Sequence, residues 1–145
     1  MNILFFLKPK DELAFIYDYH TLRQVMEIME YHKYSCVPIL NRDGKYIGSI
    51  TEGDLLWGLK SVNLLKLKDA ESISIMKISR RHDYRPVRAN SNIEDLMERA
   101  MEQNFVPVVD DSGNFIGIVT RKDILSYCFN KIKKLEEQKN AASAF

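Results

Sequence analysis

The chain has 145 residues, 46% of them apolar, and a formal net charge of +1. That is enough apolar material for a packed core, which excludes wholesale disorder, and the length suits one compact domain or two very small ones. A near-neutral balance gives no global attraction to nucleic acid or to an anionic membrane, so either role would need a local patch.

The N-terminal run Met1–Leu7 is apolar but stops at Lys8-Pro9. It is too short for a spanning helix and has no basic leader, which predicts a soluble, cytoplasmic protein. An extended lead-in follows at Glu12–Tyr17, then a helix opened by Thr21, on which Leu22, Val25, Met26 and Met29 recur at helical spacing. The apolar run 36–40 and the strand 46–51 flank Asn41-Arg42-Asp43-Gly44, a turn composition, and predict a hairpin. The link over 60–83 carries a short predicted helix near Ala70–Met76 and the basic cluster Arg80-Arg81-His82. A second lead-in, Tyr84–Arg88, precedes a helix capped by Asn92 and bearing Ile93, Leu96, Met97, Ala100 and Met101. A second hairpin covers 106–110 and 115–120, a helical pattern runs from Ile124 to Lys139, and Ala141–Phe145 is expected to fray. The methionines fall in single helical stripes and read as core packing rather than as an adaptable binding face. Cys36 and Cys128 sit among apolar neighbours and read as buried free thiols, not as a disulfide scaffold.

Two stretches, 37–56 and 106–125, align without a gap at an offset of 69 (106−37, 123−54). Eight of the 20 pairs are identical, and they include the proline, both glycines, the threonine and the aspartate, so the chain is an internal duplication. The helix starts are offset by 71 (93−22), so the second repeat has two residues fewer before its proline strand. Pro38 and Pro107 supply no ladder donor, which marks an edge or a strand start and leaves carbonyls free for another partner.

The sharpest feature is Gly48…Thr51-x-x-Asp54 and its twin Gly117…Thr120-x-x-Asp123, each where a strand ends and a helix begins. One reading is structural: Thr-x-x-Asp is close to a capping box, worth about 1 kcal/mol. The other is functional. A helix N-terminus presents unpaired N–H groups and partial positive charge to a phosphate, the threonine hydroxyl can join it, and an aspartate suits a ribose diol. Capping suffices for one motif alone, whereas its paired recurrence beside proline strands favours a nucleoside phosphate.

On the Val37-Pro38 and Val106-Pro107 strands, the Gly44 and Gly113 turns and the two Gly…Thr-x-x-Asp motifs, the chain resembles the cystathionine-β-synthase (CBS) domain family over about residues 5–135. The resemblance implies an α/β fold of two β-α-β-β-α repeats, 5–60 and 80–135, related by a pseudo-twofold axis and joined by a linker over 61–79, with a tail at 136–145. It implies two clefts for adenosine ligands such as AMP, ADP, ATP, cyclic di-AMP or S-adenosylmethionine, and no metal. Carried over, one cleft uses Thr51 and Asp54 with Ser35, Cys36, Pro38 and Ala14–Ile16. The other uses Thr120 and Asp123 with Phe105, Val106, Pro107 and the lead-in Tyr84–Val87, including Arg85 and Val87. Arg121 and Lys122 inside the second motif, with Arg80, Arg81, His82, Arg85 and Arg88, predict that polyphosphate prefers the second cleft, unless these are solvated surface charges.

The resemblance also implies a homodimer, for which Ile3–Leu7 and Leu56, Trp57 and Leu59 are candidate contacts unless they pack within the chain. The chain ends soon after the second repeat, so output is expected to pass through an unidentified partner protein or a change of oligomer. No nucleophile–base pair, metal-ligand spacing or paired carboxylates suggest an enzyme, and His20, His32 and His82 share no motif. Lys131, Lys133 and Lys134 beside the arginine cluster leave a nucleic-acid or protein-interaction module as the third reading, weakened by the interrupting Glu136 and Glu137.

Overall fold

In the computed structural model, the structure describes residues 2–63 and 66–144. The helix caps stand where the sequence places them. Thr21 accepts the Gln24 amide while the Gln24 side chain accepts the Thr21 amide, closing a capping box that starts α1 (Leu22–His32). Asn92 accepts the Asp95 amide and starts α3 (Ile93–Glu102). Leu22, Val25 and Met29 of α1 are buried, as are Leu96 and Ala100 of α3. The stripe expected to bury the methionines fails on α3. Leu96 and Ala100, four residues apart, take the inward face, so Met97 and Met101, one position further round, stand 41% and 75% exposed.

The strands form two sheets. β1 (Lys8–Pro9), β7 (Phe115–Thr120), β6 (Phe105–Val109) and β5 (Val87–Arg88) lie in that order in one, and β2 (Ile16–Tyr17), β3 (Cys36–Leu40) and β4 (Tyr46–Thr51) in the other. In each repeat a two-residue lead-in pairs in parallel with the proline strand, which pairs antiparallel with the threonine strand. Both lead-ins stop short of the proline. β2 reaches only Ile39 and Leu40 and β5 only Val108 and Val109, so Pro38 and Pro107 each have a single neighbouring strand, opposite Ser49 and Ile118. The hairpin turns are closed by Asn41, whose side chain accepts the amides of Asp43 and Lys45, and by Asp110, which accepts those of Ser112 and Asn114. Gly44 and Gly113 follow at φ of 82° and 85°, a region that glycine enters without steric cost.

The last helices are α2 (Glu52–Ser61) and α4 (Arg121–Ser143). α4 runs past the expected end at Lys139 to Ser143, through Ala141 and Ala142, which are strong helix formers. The short helix expected near 70–76 is two 3-10 turns, Leu67–Ser72 and Ile75–Lys77. Ser72 and Ser74 divert local backbone bonds, Ser72 to the Asp69 carbonyl and Ser74 from the Met76 amide, which breaks a continuous α-helical ladder. Leu64 and Leu65 of the link, Met1 and Phe145 lie outside the described residues.

Each core is completed by a segment from outside its own repeat. Ala70, Ile75 and Ile78 of the link pack with Ile16, Leu22, Val37, Ile39 and Ile50 of the first repeat. Ile3 and Phe6, from the N-terminal turn ahead of β1, pack instead with Val87, Leu96, Val106, Val108 and Val119 of the second. Leu4 and Phe5 of the same turn face outward, 41% and 75% exposed. The two halves meet at their hairpin turns through a reciprocal pair of hydrogen bonds, Tyr46 N–H to the Gly113 carbonyl (3.3 Å) and Phe115 N–H to the Gly44 carbonyl (3.0 Å). The repeat offset of 69 carries one bond onto the other (115−46, 113−44), which is the pseudo-twofold expected of the duplication.

Because Ile3 is fully buried in the second core, Ile3→Ala is expected to cost about 2–5 kcal/mol in urea unfolding. In native-state hydrogen exchange the loss of protection should be largest at β6 and β7. Loss confined to β3 and β4 would contradict the exchange of segments.

Candidate ligand site between the repeats

The two threonine motifs are built alike at the backbone and differ at the side chains. The first amide of α2, Glu52 N–H, bonds the Ser35 carbonyl at 3.0 Å, and that of α4, Arg121 N–H, bonds the Asn104 carbonyl at 2.9 Å. Thr51 and Thr120 both accept the amide of the aspartate three residues on. At the first motif Asp54 returns the bond to the Thr51 amide at 3.0 Å, a complete capping box. At the second, Thr120 caps without a return bond from Asp123.

The environments then diverge. Asp54 is 2% exposed, and its second oxygen accepts the Arg81 amide at 3.0 Å. Its carboxylate is therefore committed to two backbone donors and presents nothing to a diol. Thr120, in contrast, opens on a cavity of about 290 Å³ lined by Lys8, Leu13, Ala14, Lys33, Tyr34, Ser35, Cys36, Pro38, Asn104, Phe105 and Ile118. Its volume is at the lower end of small-ligand pockets, about 300–1,000 Å³. Pro38 and Cys36 from β3 form one wall and Phe105, Ile118 and Thr120 from the other sheet the opposite one. The amide of Lys122, in the first turn of α4, has no intrahelical acceptor.

This cavity groups the expected site residues across the repeats rather than within them. Ser35, Cys36, Pro38 and Ala14 meet Phe105 and Thr120, not Thr51 and Asp54. Asp123 lines a neighbouring depression with Phe6, Lys8 and Tyr127. Ile16, Val87 and Val106 are buried in the two cores, and Pro107 is buried opposite Ile118.

The arginine cluster is likewise placed elsewhere. Arg80 pairs with Asp83 at 2.7 Å, the Arg81 guanidinium lies 5.3 Å from the Trp57 ring, and Arg121 donates to the Ala100 carbonyl at 2.7 Å. Arg85 and Lys122 are exposed, and the Arg85 backbone is held by Gln103. The cations that line the cavity are Lys8 and Lys33, which the sequence reading did not select. A signal for Lys33 was present. Of the two residues that distinguish the repeats, one lengthens α1 relative to α3 (11 residues against 10). The other lies in the connection to the proline strand, 33–35 against 103–104. Lys33 ends α1 in the left-handed conformation at φ 56°, which swings the chain out at the cavity rim.

Burial pushes the Cys36 thiol up to about 12, against hydrogen bonds to Ser49 and Tyr84, so this wall of the cavity stays uncharged at neutral pH. Cys128 is half-buried, not fully enclosed. His20 Nδ1 accepts the Tyr17 amide at 3.0 Å, a structural bond away from the cavity. Among the described residues no group of three or more histidine, cysteine or acidic side chains could hold a metal ion, and no helix is long and apolar enough to cross a membrane.

A duplicated α/β module with its cavity between the halves is the class of protein that this fold and site define. The chain belongs to the CBS domain family, whose model matches residues 7–61 and 75–130. It is 29% identical to the uncharacterized protein MJ1426 of Methanocaldococcus jannaschii, over 76% of this chain and 82% of that one. It also matches the A-adding tRNA nucleotidyltransferase of Aquifex aeolicus at 32% identity, over 68% of this chain but 11% of that protein. Among solved structures, CbpB in complex with c-di-AMP superposes with a TM-score of 0.82 at 22% identity, covering 95% of this chain and 91% of the other. A CBS domain protein from Streptococcus pneumoniae superposes at 0.79 with 25% identity, covering 88% and 86%.

The two motif aspartates should separate in stability. Asp54→Ala removes the acceptor from two backbone amides and is expected to cost about 1–3 kcal/mol in urea unfolding. Asp123→Ala, with no bond to lose in the capping box, should stay within about 0.5 kcal/mol of the parent. Equal losses would contradict the asymmetry.

Proposed function

We propose that the protein is an adenine-nucleotide-binding sensor module of the AMP, ADP or ATP class, with no catalytic activity of its own. The observation that carries this reading is the cavity that joins the Pro38 strand of one repeat to the Thr120 helix start of the other, with Lys8 and Lys33 at its lining. The parts have a physical division of labour. Backbone groups beside Pro38, left without a second strand, suit the hydrogen-bonding edge of a base, and the apolar Phe105 and Ile118 suit its face. Thr120, the first turn of α4 and the two lysines suit a phosphate.

Cyclic di-AMP is the second reading, favoured by the likeness to CbpB structures that hold it. Two lysines disfavour the cationic S-adenosylmethionine. A nucleic-acid role loses its main support, since Arg80 and Arg81 are engaged within the chain. In this account the module acts as a homodimer on a partner protein. The exposed apolar side chains Leu56 and Trp57 of α2 and Leu125, Phe129, Ile132 and Leu135 of α4 supply the association surface.

Calorimetric titration of the purified chain with AMP, ADP, ATP and cyclic di-AMP tests this reading. Saturable binding of at least one is expected, and Lys33→Ala should weaken it roughly 10-fold or more, as for the loss of one charge-assisted hydrogen bond. No heat from any of the four at millimolar concentration would sink the proposal.

A further inference from the structure

The half-site related to the open cavity by the pseudo-twofold is already filled, and the chain itself fills it. The offset of 69 maps Thr120 to Thr51 and Ile118 to Ser49, and the lead-in offset of 71 (87−16) maps Leu13 to Tyr84. Around the open cavity these positions hold Leu13, Ile118 and Thr120. At the related place Tyr84 folds in. Its ring packs edge-on against Phe105 at 4.8 Å, its amide donates to the Ser49 hydroxyl at 2.7 Å, and its carbonyl accepts the Tyr46 hydroxyl. Ser49 is wholly buried as a result.

Asp83 secures the segment. Its carboxylate accepts the Ser49 amide at 3.0 Å and is held by the Arg80 guanidinium at 2.7 Å. It approaches β4 so closely that a Cβ on Gly48 would lie 2.5 Å from its Oδ1 and 2.8 Å from its Cγ. The twin glycine serves a different approach: a Cβ on Gly117 would overlap the Lys8 carbonyl of β1. The same duplicated glycine thus admits a strand on one side and a carboxylate on the other.

We propose that residues 80–84 are an internal latch over the second half-site, so that each chain takes one nucleoside phosphate, beneath Thr120, and admits another at Thr51 only when Asp83 and Tyr84 are displaced. The inference rests on the nucleotide reading for its ligand, while the latch itself rests on the contacts of Ser49 and Gly48. It assigns the Arg80–Asp83 pair a role in controlling access and makes the first motif a reserve site.

Two variants release the latch from opposite sides. Tyr84→Leu installs the residue that the first repeat carries at Leu13, and Gly48→Ala expels the Asp83 carboxylate without altering the segment. Titration of the whole chain with AMP should give one site in the parent and two in either variant, with the first Kd unchanged within a few-fold in Gly48→Ala, which touches no residue of the open cavity. Adding Thr51→Val to Tyr84→Leu should return the count to one. Two sites in the parent, or one site in both variants when circular dichroism shows them folded, overturns the latch. If AMP gives no heat with any of these proteins, the nucleotide reading fails, and hydrogen exchange judges the latch alone. The Ser49 and Tyr84 amides should be protected in the parent and lose at least 10-fold in protection in Gly48→Ala. Free exchange of both in the parent overturns it.

Discussion

Neither repeat can close its own core, and most of the architecture follows from that constraint. Three strands and two helices per repeat leave an apolar face uncovered. Here the cover is lent from elsewhere in the chain, Ile3 and Phe6 to the second repeat and Ala70, Ile75 and Ile78 to the first. The borrowed segments tie the halves together and bring their proline strands and threonine strands face to face. The reciprocal Tyr46–Gly113 and Phe115–Gly44 bonds then fix the axis between them. A cavity between the halves is a consequence of how the cores are completed, and its walls necessarily mix residues from both repeats.

Near-symmetry in the sequence becomes asymmetry in the site through a few side chains. Ser49 offers a hydroxyl and a buried amide to the segment 80–84, whereas Ile118 at the matching position offers no hydroxyl and its strand takes the backbone of β1 instead. Tyr84 has the bulk and hydroxyl to fill its half-site, and Leu13 has neither. Burial alone would raise the Asp83 carboxyl, but Arg80 and the Ser49 amide together hold it below its ordinary range, so the contact keeps its charge at neutral pH. The charge distribution follows the same logic: Arg80, Arg81 and Arg121 are engaged within the chain, Arg85 and Arg88 are exposed outside the cavity lining, and Lys8 and Lys33 line the cavity.

Much of the fold was legible because it rests on local signals. The caps Thr21 and Asn92, the turns at Gly44 and Gly113 and the strand-to-helix junctions at Thr51 and Thr120 all read correctly from composition and period. Wrong readings arose where a distant contact decides. Nothing in Ile3–Leu7 says that it crosses to the second repeat, and nothing in Arg80-Arg81-His82 says that Asp83 will pair with Arg80. Met97 and Met101 shared a helical stripe with Leu96 and Ala100, but the stripe was wider than the face that the sheet covers. Six candidate residues, Ala14, Ser35, Cys36, Pro38, Phe105 and Thr120, meet at one cavity, and the other six that line it carry no motif signal. Their grouping across the repeats is not visible in the sequence, because the repeat offset describes symmetry within the sequence and the cavity is formed across it.

The most direct measurement is the amide chemical-shift map of the 15N-labelled protein on addition of AMP. Shifts are expected from both repeats together, at Ser35, Cys36, Asn104, Phe105 and the first turn of α4, with Thr51 and Asp54 unmoved. Shifts confined to Thr51, Asp54 and the rest of the first repeat would contradict a site built between the halves beneath Thr120.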